Sequence, residues 1–184
     1  NSTYEEDYLW NRALYLTSSG CFLLSSPNHK NLAIEAIRES AEIYEFFFLL
    51  AVKTSFDKEY CLVLSALCYD LTGYQANAFC LISKLSTYIL ISSQDEINIT
   101  SDNYIISHIQ YILFKKISKA RNLINKETKD EGLIKFNSAI LKFYNNVLNG
   151  TDDDFLPDIN EVYKFYLRSG NTYISHLLFV LGAR

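Results

Sequence analysis

Apolar side chains recur at three- and four-residue spacing along nearly the whole chain, the period of a helix that buries one face and wets the other. Leu9, Ala13 and Leu14 open the pattern, and the stretch from Leu32 through Ile37, Ala41, Tyr44 and Phe48 to Ala51 carries it most clearly. The buried stripes are wide, and the elements they predict are helices near 4–24, 29–54, 57–72, 75–92, 102–126, 130–148, 158–169 and 172–182.

The breaks between these stretches have their own chemistry. Ser26-Pro27-Asn28 interrupts the first two, with Asn28 in place to cap the second, and Ser101 is in place to cap the fifth. Asn149-Gly150-Thr151-Asp152-Asp153-Asp154 ends one helix and starts a loop, because glycine suits a helix C-terminus and an aspartate run favours turns. Asp158 followed by Glu161 has the spacing of a capping box, and Pro157 is expected to stop what precedes it. A second polar break spans Ser92 to Asn103. The predicted fold class is therefore all-α: about eight helices as consecutive antiparallel hairpins, in a single domain over 1–184 with sub-units 1–92 and 102–184.

Ala66-Leu67-Cys68-Tyr69-Asp70-Leu71-Thr72-Gly73-Tyr74-Gln75-Ala76-Asn77-Ala78 sets a small residue and a tyrosine on one helix, a Gly-Tyr turn, and an alanine early in the next. This hairpin, 57–92, resembles a tetratricopeptide repeat. The resemblance implies that Ala66 and Ala78 permit close helix approach, that Tyr69 fills the groove between helices, and that Gly73, with Tyr74 after it, makes the tight turn. No regular spacing of about 34 residues extends it to the rest of the chain. The same Ala, Tyr, Gly-Tyr, Ala hairpin resembles the helical N-terminal regions of large bacterial helicases of the antiviral-defence type. No helicase motor motif is in the sequence, so that likeness bears on a parent protein alone.

Composition supports an ordered helical protein. Hydrophobic residues make up 49% of the chain against 21% charged, enough to offset the entropy of ordering, and only 6 Gly and 2 Pro are available for the turns of a many-stranded sheet. No Met occurs, including at position 1, and the apolar run Leu177 to Leu181 reaches almost to the end, so the chain is expected to be a segment of a longer polypeptide. No apolar run approaches the roughly 18–20 residues of a membrane span, and residues 1–20 lack a leader-like core. A cytoplasmic protein with no membrane partner is expected.

Candidate chemistry is sparse. There is no phosphate-binding glycine loop, and His29, His108 and His176 stand far apart, without metal-ligand spacing. Cys21, Cys61, Cys68 and Cys80 lie in apolar surroundings without CxxC spacing and are expected to be buried thiols. Asp152-Asp153-Asp154 lacks the ligand offsets of a calcium loop. No catalytic residue, cofactor or metal is predicted for this segment, although a site assembled from scattered residues, such as His108 with Cys68 and a carboxylate, stays open. The net charge of −4 gives no global attraction for nucleic acid, so any such contact must be local. One local cluster qualifies: Lys115, Lys116, Lys119, Arg121, Lys126 and Lys129, with Lys115, Lys119 and Lys126 on one face of the predicted fifth helix. The aromatic runs Phe46-Phe47-Phe48 and Tyr163, Phe165, Tyr166 exceed the needs of one narrow stripe and serve either burial or a partner. Two partner classes follow: another protein or domain of the same chain, bound by a helical scaffold, or nucleic acid, held by the basic cluster of an accessory domain.

Overall fold

The computed structural model describes residues 3–50, 58–85, 101–124 and 127–183. Among them the regular structure is helical, and the chain divides into two compact units, Asn1–Leu85 and Ser86–Gly182. The first holds α1 (Tyr4–Leu23), a 3₁₀ turn at Pro27–His29, α2 (Lys30–Leu50), α3 (Lys58–Leu71) and α4 (Gln75–Ile82). The second holds α5 (Ser101–Leu113), α6 (Ile117–Asn122), α7 (Glu131–Asn149), α8 (Leu156–Arg168) and α9 (Thr172–Gly182).

In the first unit each helix packs on the next. Thr3 and Glu6 close a capping box at the start of α1, and Glu5, Glu6 and Asp7 meet the positive end of its dipole. The helix then lies antiparallel on α2. Trp10 meets Tyr44 and Phe47 edge-on at 5.7 and 5.5 Å, and the Ser40 hydroxyl donates to the Ala13 carbonyl at 3.2 Å. At the far end Gly20 lets the backbones close up, since a Cβ there would stand 2.5 Å from Ile37 Cγ1. α3 is buried at every position from Tyr60 to Tyr69.

Ala66 and Ala78 are buried, and the Tyr69 hydroxyl donates to Glu45 of α2 at 2.8 Å. Gly73 takes the left-handed conformation (φ 88°) while Tyr74 N–H donates to Tyr69 and Gly73 N–H to Asp70, a Schellman closure. The same closure ends α8 at Gly170 (φ 82°), with Asn171 N–H donating to Tyr166.

It also ends α5, and this corrects the predicted helix 102–126. Lys115 adopts φ 58°, Lys116 N–H donates to the Tyr111 carbonyl, and Lys115 N–H donates to Ile112. Orphan carbonyls are satisfied as at the two glycine turns, at the cost of a left-handed lysine. The chain therefore breaks between Leu113 and Ile117, and Lys115 and Lys119 do not share a face of one continuous helix. Lys126 lies outside the described residues, as do the predicted extensions 51–54 and 86–92 and the Ser101 side chain.

Two other local expectations change. Asn28 lies inside the 3₁₀ turn rather than capping α2, and the Ser26 hydroxyl meets His29 Nδ1 at 3.0 Å. Pro157 sits in the first turn of α8, where its missing N–H costs nothing, and Asp158 pairs with Lys142 of α7 instead of closing a capping box. Gly150 does end α7 in the left-handed conformation (φ 65°), and Asn146 organises the loop that follows, accepting from Thr151 and Asp153 and donating to the Asp153 carbonyl.

Candidate interaction surfaces

α1 carries apolar side chains on two opposite faces. Ala13, Thr17 and Gly20 are buried, and α2 covers that side. At about 100° per residue, Tyr4, Tyr8, Tyr15 and Phe22 form a single line directly opposite. Their exposures are 89%, 55%, 70% and 80%, so four aromatic rings stand in solvent along one helix. Asn11 and Ser18, also exposed, complete a 4-3-4-3-4 spacing from Tyr4 to Phe22. Tyr8 is positioned from below: Arg12 donates to its hydroxyl at 3.4 Å and is itself held by Glu39 of α2 at 2.7 Å. Scattered exposed rings are ordinary; these four share one face of one helix, with Asn11 and Ser18 between them.

The basic cluster gathers at the α5–α6 turn. Lys115, Lys116, Lys119 and Arg121 are exposed, the first two in the turn and the others on α6, and Lys129 is exposed just before α7. The Lys116 ammonium lies 5.4 Å from the Phe114 ring centroid. Tyr104 and Tyr111, the tyrosines of α5, are buried and offer no ring to a ligand on this surface.

Between α7 and α8 a cleft of about 340 Å³ is lined by Glu131, Lys135, Glu161, Phe165, Arg168 and Ser169. The two helices approach closely at Gly132, where a Cβ would stand 2.6 Å from the Tyr166 hydroxyl.

His108 lies deep in the second unit. Its Nδ1 is hydrogen-bonded to the Tyr144 hydroxyl at 2.7 Å, its ring tilts on Tyr104 at 4.6 Å, and among the described residues its Nε2 has no hydrogen-bond partner. Burial pushes the imidazole down to about 3, which keeps it neutral. Burial likewise lowers His176 to about 4, with its ring stacked on Phe179. Cys61 and Cys68 are buried and Cys21 is half-buried, its thiol raised by burial to about 12. Cys80 departs from expectation and is exposed, because it falls on the outer side of the short α4. Among the described residues no three His, Cys, Asp or Glu side chains gather as a metal site, and no helix is long and apolar enough to cross a membrane.

No protein-family model, curated protein or solved structure matches this chain. The tetratricopeptide resemblance thus rests on residues 66–78 alone. Of the aromatic runs weighed from sequence, Phe47 and Tyr166 are buried while Phe46 is exposed. The α1 line escaped sequence reasoning, which followed Leu9, Ala13 and Leu14 to the buried side. The signal was present in Tyr4, Tyr8, Tyr15 and Phe22, four rings at spacings of four, seven and seven.

Proposed function

We propose that this chain is a non-catalytic helical scaffold of the cytoplasm that binds another protein through the outer face of α1. The observation that carries the reading is the line of exposed rings at Tyr4, Tyr8, Tyr15 and Phe22. The tetratricopeptide-like hairpin at α3–α4 is in keeping with a stacked helical array of the kind that binds partners. The test is affinity capture from a cell extract with the wild-type chain and with Tyr8→Ser/Tyr15→Ser. The substituted chain is expected to keep its circular dichroism spectrum and lose partners that the wild type retains. A variant that retains every partner overturns the reading.

A second reading is favoured by one observation at the α5–α6 turn. Lys115, Lys116, Lys119 and Arg121 are exposed together, and no Asp or Glu occurs between Asn103 and Lys126. In that reading the chain is a nucleic-acid-associated accessory domain of a larger helicase or nuclease, in antiviral defence. Replacing Lys115, Lys119 and Lys126 with Glu would then abolish DNA or RNA retention at low salt, where phosphate contacts are strongest. Under the scaffold reading the same variant keeps its protein partners.

A further inference from the structure

We infer that the occupant of the α1 face is a second copy of this chain, its α1 packed antiparallel on the first. The inference rests on the preceding reading of α1 as a contact surface and adds the partner to it. Three features point to self-pairing.

The spacing is that of a helix seam. Tyr4, Tyr8, Asn11, Tyr15, Ser18 and Phe22 alternate steps of four and three, all exposed, as on a helix that packs lengthwise against another helix. Large and small side chains also alternate. Tyr8, Tyr15 and Phe22 are one heptad apart, and Asn11 and Ser18 lie between them. A two-fold axis at the level of residue 13 sets Tyr15 opposite Asn11, Tyr8 opposite Ser18 and Tyr4 opposite Phe22, so the two central rings each meet a smaller partner and the outer two meet each other, in the self-complementary register of an isologous contact.

Charge then selects the orientation. Glu5, Glu6 and Asp7 crowd the first turn of α1, whereas residues 14–27 carry no charged side chain. Parallel pairing would place two acidic turns side by side. Antiparallel pairing sets each against an uncharged stretch, so like-charge repulsion favours it over the parallel alternative.

The area sets the strength. Four rings of this exposure offer on the order of 500 to 600 Å² per copy, from the roughly 150–250 Å² that an aromatic side chain can bury. A standard stable interface takes about 800 Å² per partner. The dimer is therefore reversible and depends on concentration.

Sedimentation velocity across a concentration series tests this, with wild type beside Tyr8→Ser/Tyr15→Ser. The wild type is expected to pass from monomer to dimer, and the variant to dimerise more weakly by over about tenfold, since two central rings are lost. A wild type monomeric at every concentration overturns the inference while leaving α1 free to bind a different protein, which extract capture decides separately. A dimer equally strong in the variant overturns it as well. Orientation is read in a Cys80→Ser background by mixing Tyr4→Cys chains with Phe22→Cys chains under mild oxidation. Antiparallel pairing joins the two kinds of chain, and disulfides formed only between Tyr4→Cys chains contradict it.

Discussion

His108 makes the stability of the second unit depend on pH. In the folded chain the imidazole is buried between Tyr104, Phe136 and Tyr144, Nδ1 is engaged by the Tyr144 hydroxyl, and Nε2 has no hydrogen-bond partner among the described residues. Its pKa is lowered to about 3 from 6.5 by desolvation. The unfolded chain therefore binds a proton that the folded chain refuses, and stability is present above the unfolded pKa and lost as pH falls below it. From pH 7 to pH 5 this one site costs about 2 kcal/mol, at roughly 1.4 kcal/mol for each pH unit below 6.5. His176, lowered to about 4, acts in the same direction. Urea unfolding followed by circular dichroism at intervals from pH 7 to pH 5 measures the slope, and His108→Asn isolates it. Asparagine carries its amide where Nδ1 stands and does not titrate, so the variant is expected to lose close to one proton's worth of slope. An unchanged slope would show that His108 is protonated in the folded chain and would refute the reasoning.

Three other substitutions test the packing that positions the surfaces. Gly20→Ala places a Cβ 2.5 Å from Ile37 Cγ1 and 3.2 Å from the Ala33 carbonyl oxygen. Overpacking of about 1–3 kcal/mol outweighs the gain of about 1 kcal/mol in helix propensity, so a lower urea midpoint is expected. Lys115→Gly relieves a left-handed lysine worth roughly 1–2 kcal/mol, less about 0.5–1 kcal/mol for the freer unfolded chain. A small rise in melting temperature is expected, without change in helix content. Asn146→Ala removes three hydrogen bonds that shape the loop after α7. A loss of about 1–2 kcal/mol is expected, together with faster amide exchange at Asp153.

Helix periodicity made most of the fold legible, and the departures have local causes. α1, α7 and α9 lie close to their predicted spans because their stripes end at recognisable signals, such as Gly150 after α7. The break after α5 was hidden because a lysine does there what Gly73 and Gly170 do elsewhere, and nothing in Phe114-Lys115-Lys116 announces a left-handed residue. Pro157 was misread because proline both ends helices and begins them, and what precedes it decides which. Only three-dimensional placement separated Cys80 from the buried Cys61 and Cys68. The α1 surface was overlooked because a helix apolar on two faces reads, one residue at a time, like a helix with one broad buried stripe. Exposure distinguishes them: Ala13 is covered and Tyr15, two residues on, is open.

The claim that α1 is a binding face is tested most directly by hydroxyl-radical footprinting of the chain, first alone and dilute, then in concentrated cell extract, with mass-spectrometric readout. The account predicts that Tyr4, Tyr8, Tyr15 and Phe22 lose reactivity together in the extract, while exposed Phe79 on α4 keeps its own. Equal labelling of all four rings in both conditions would contradict it.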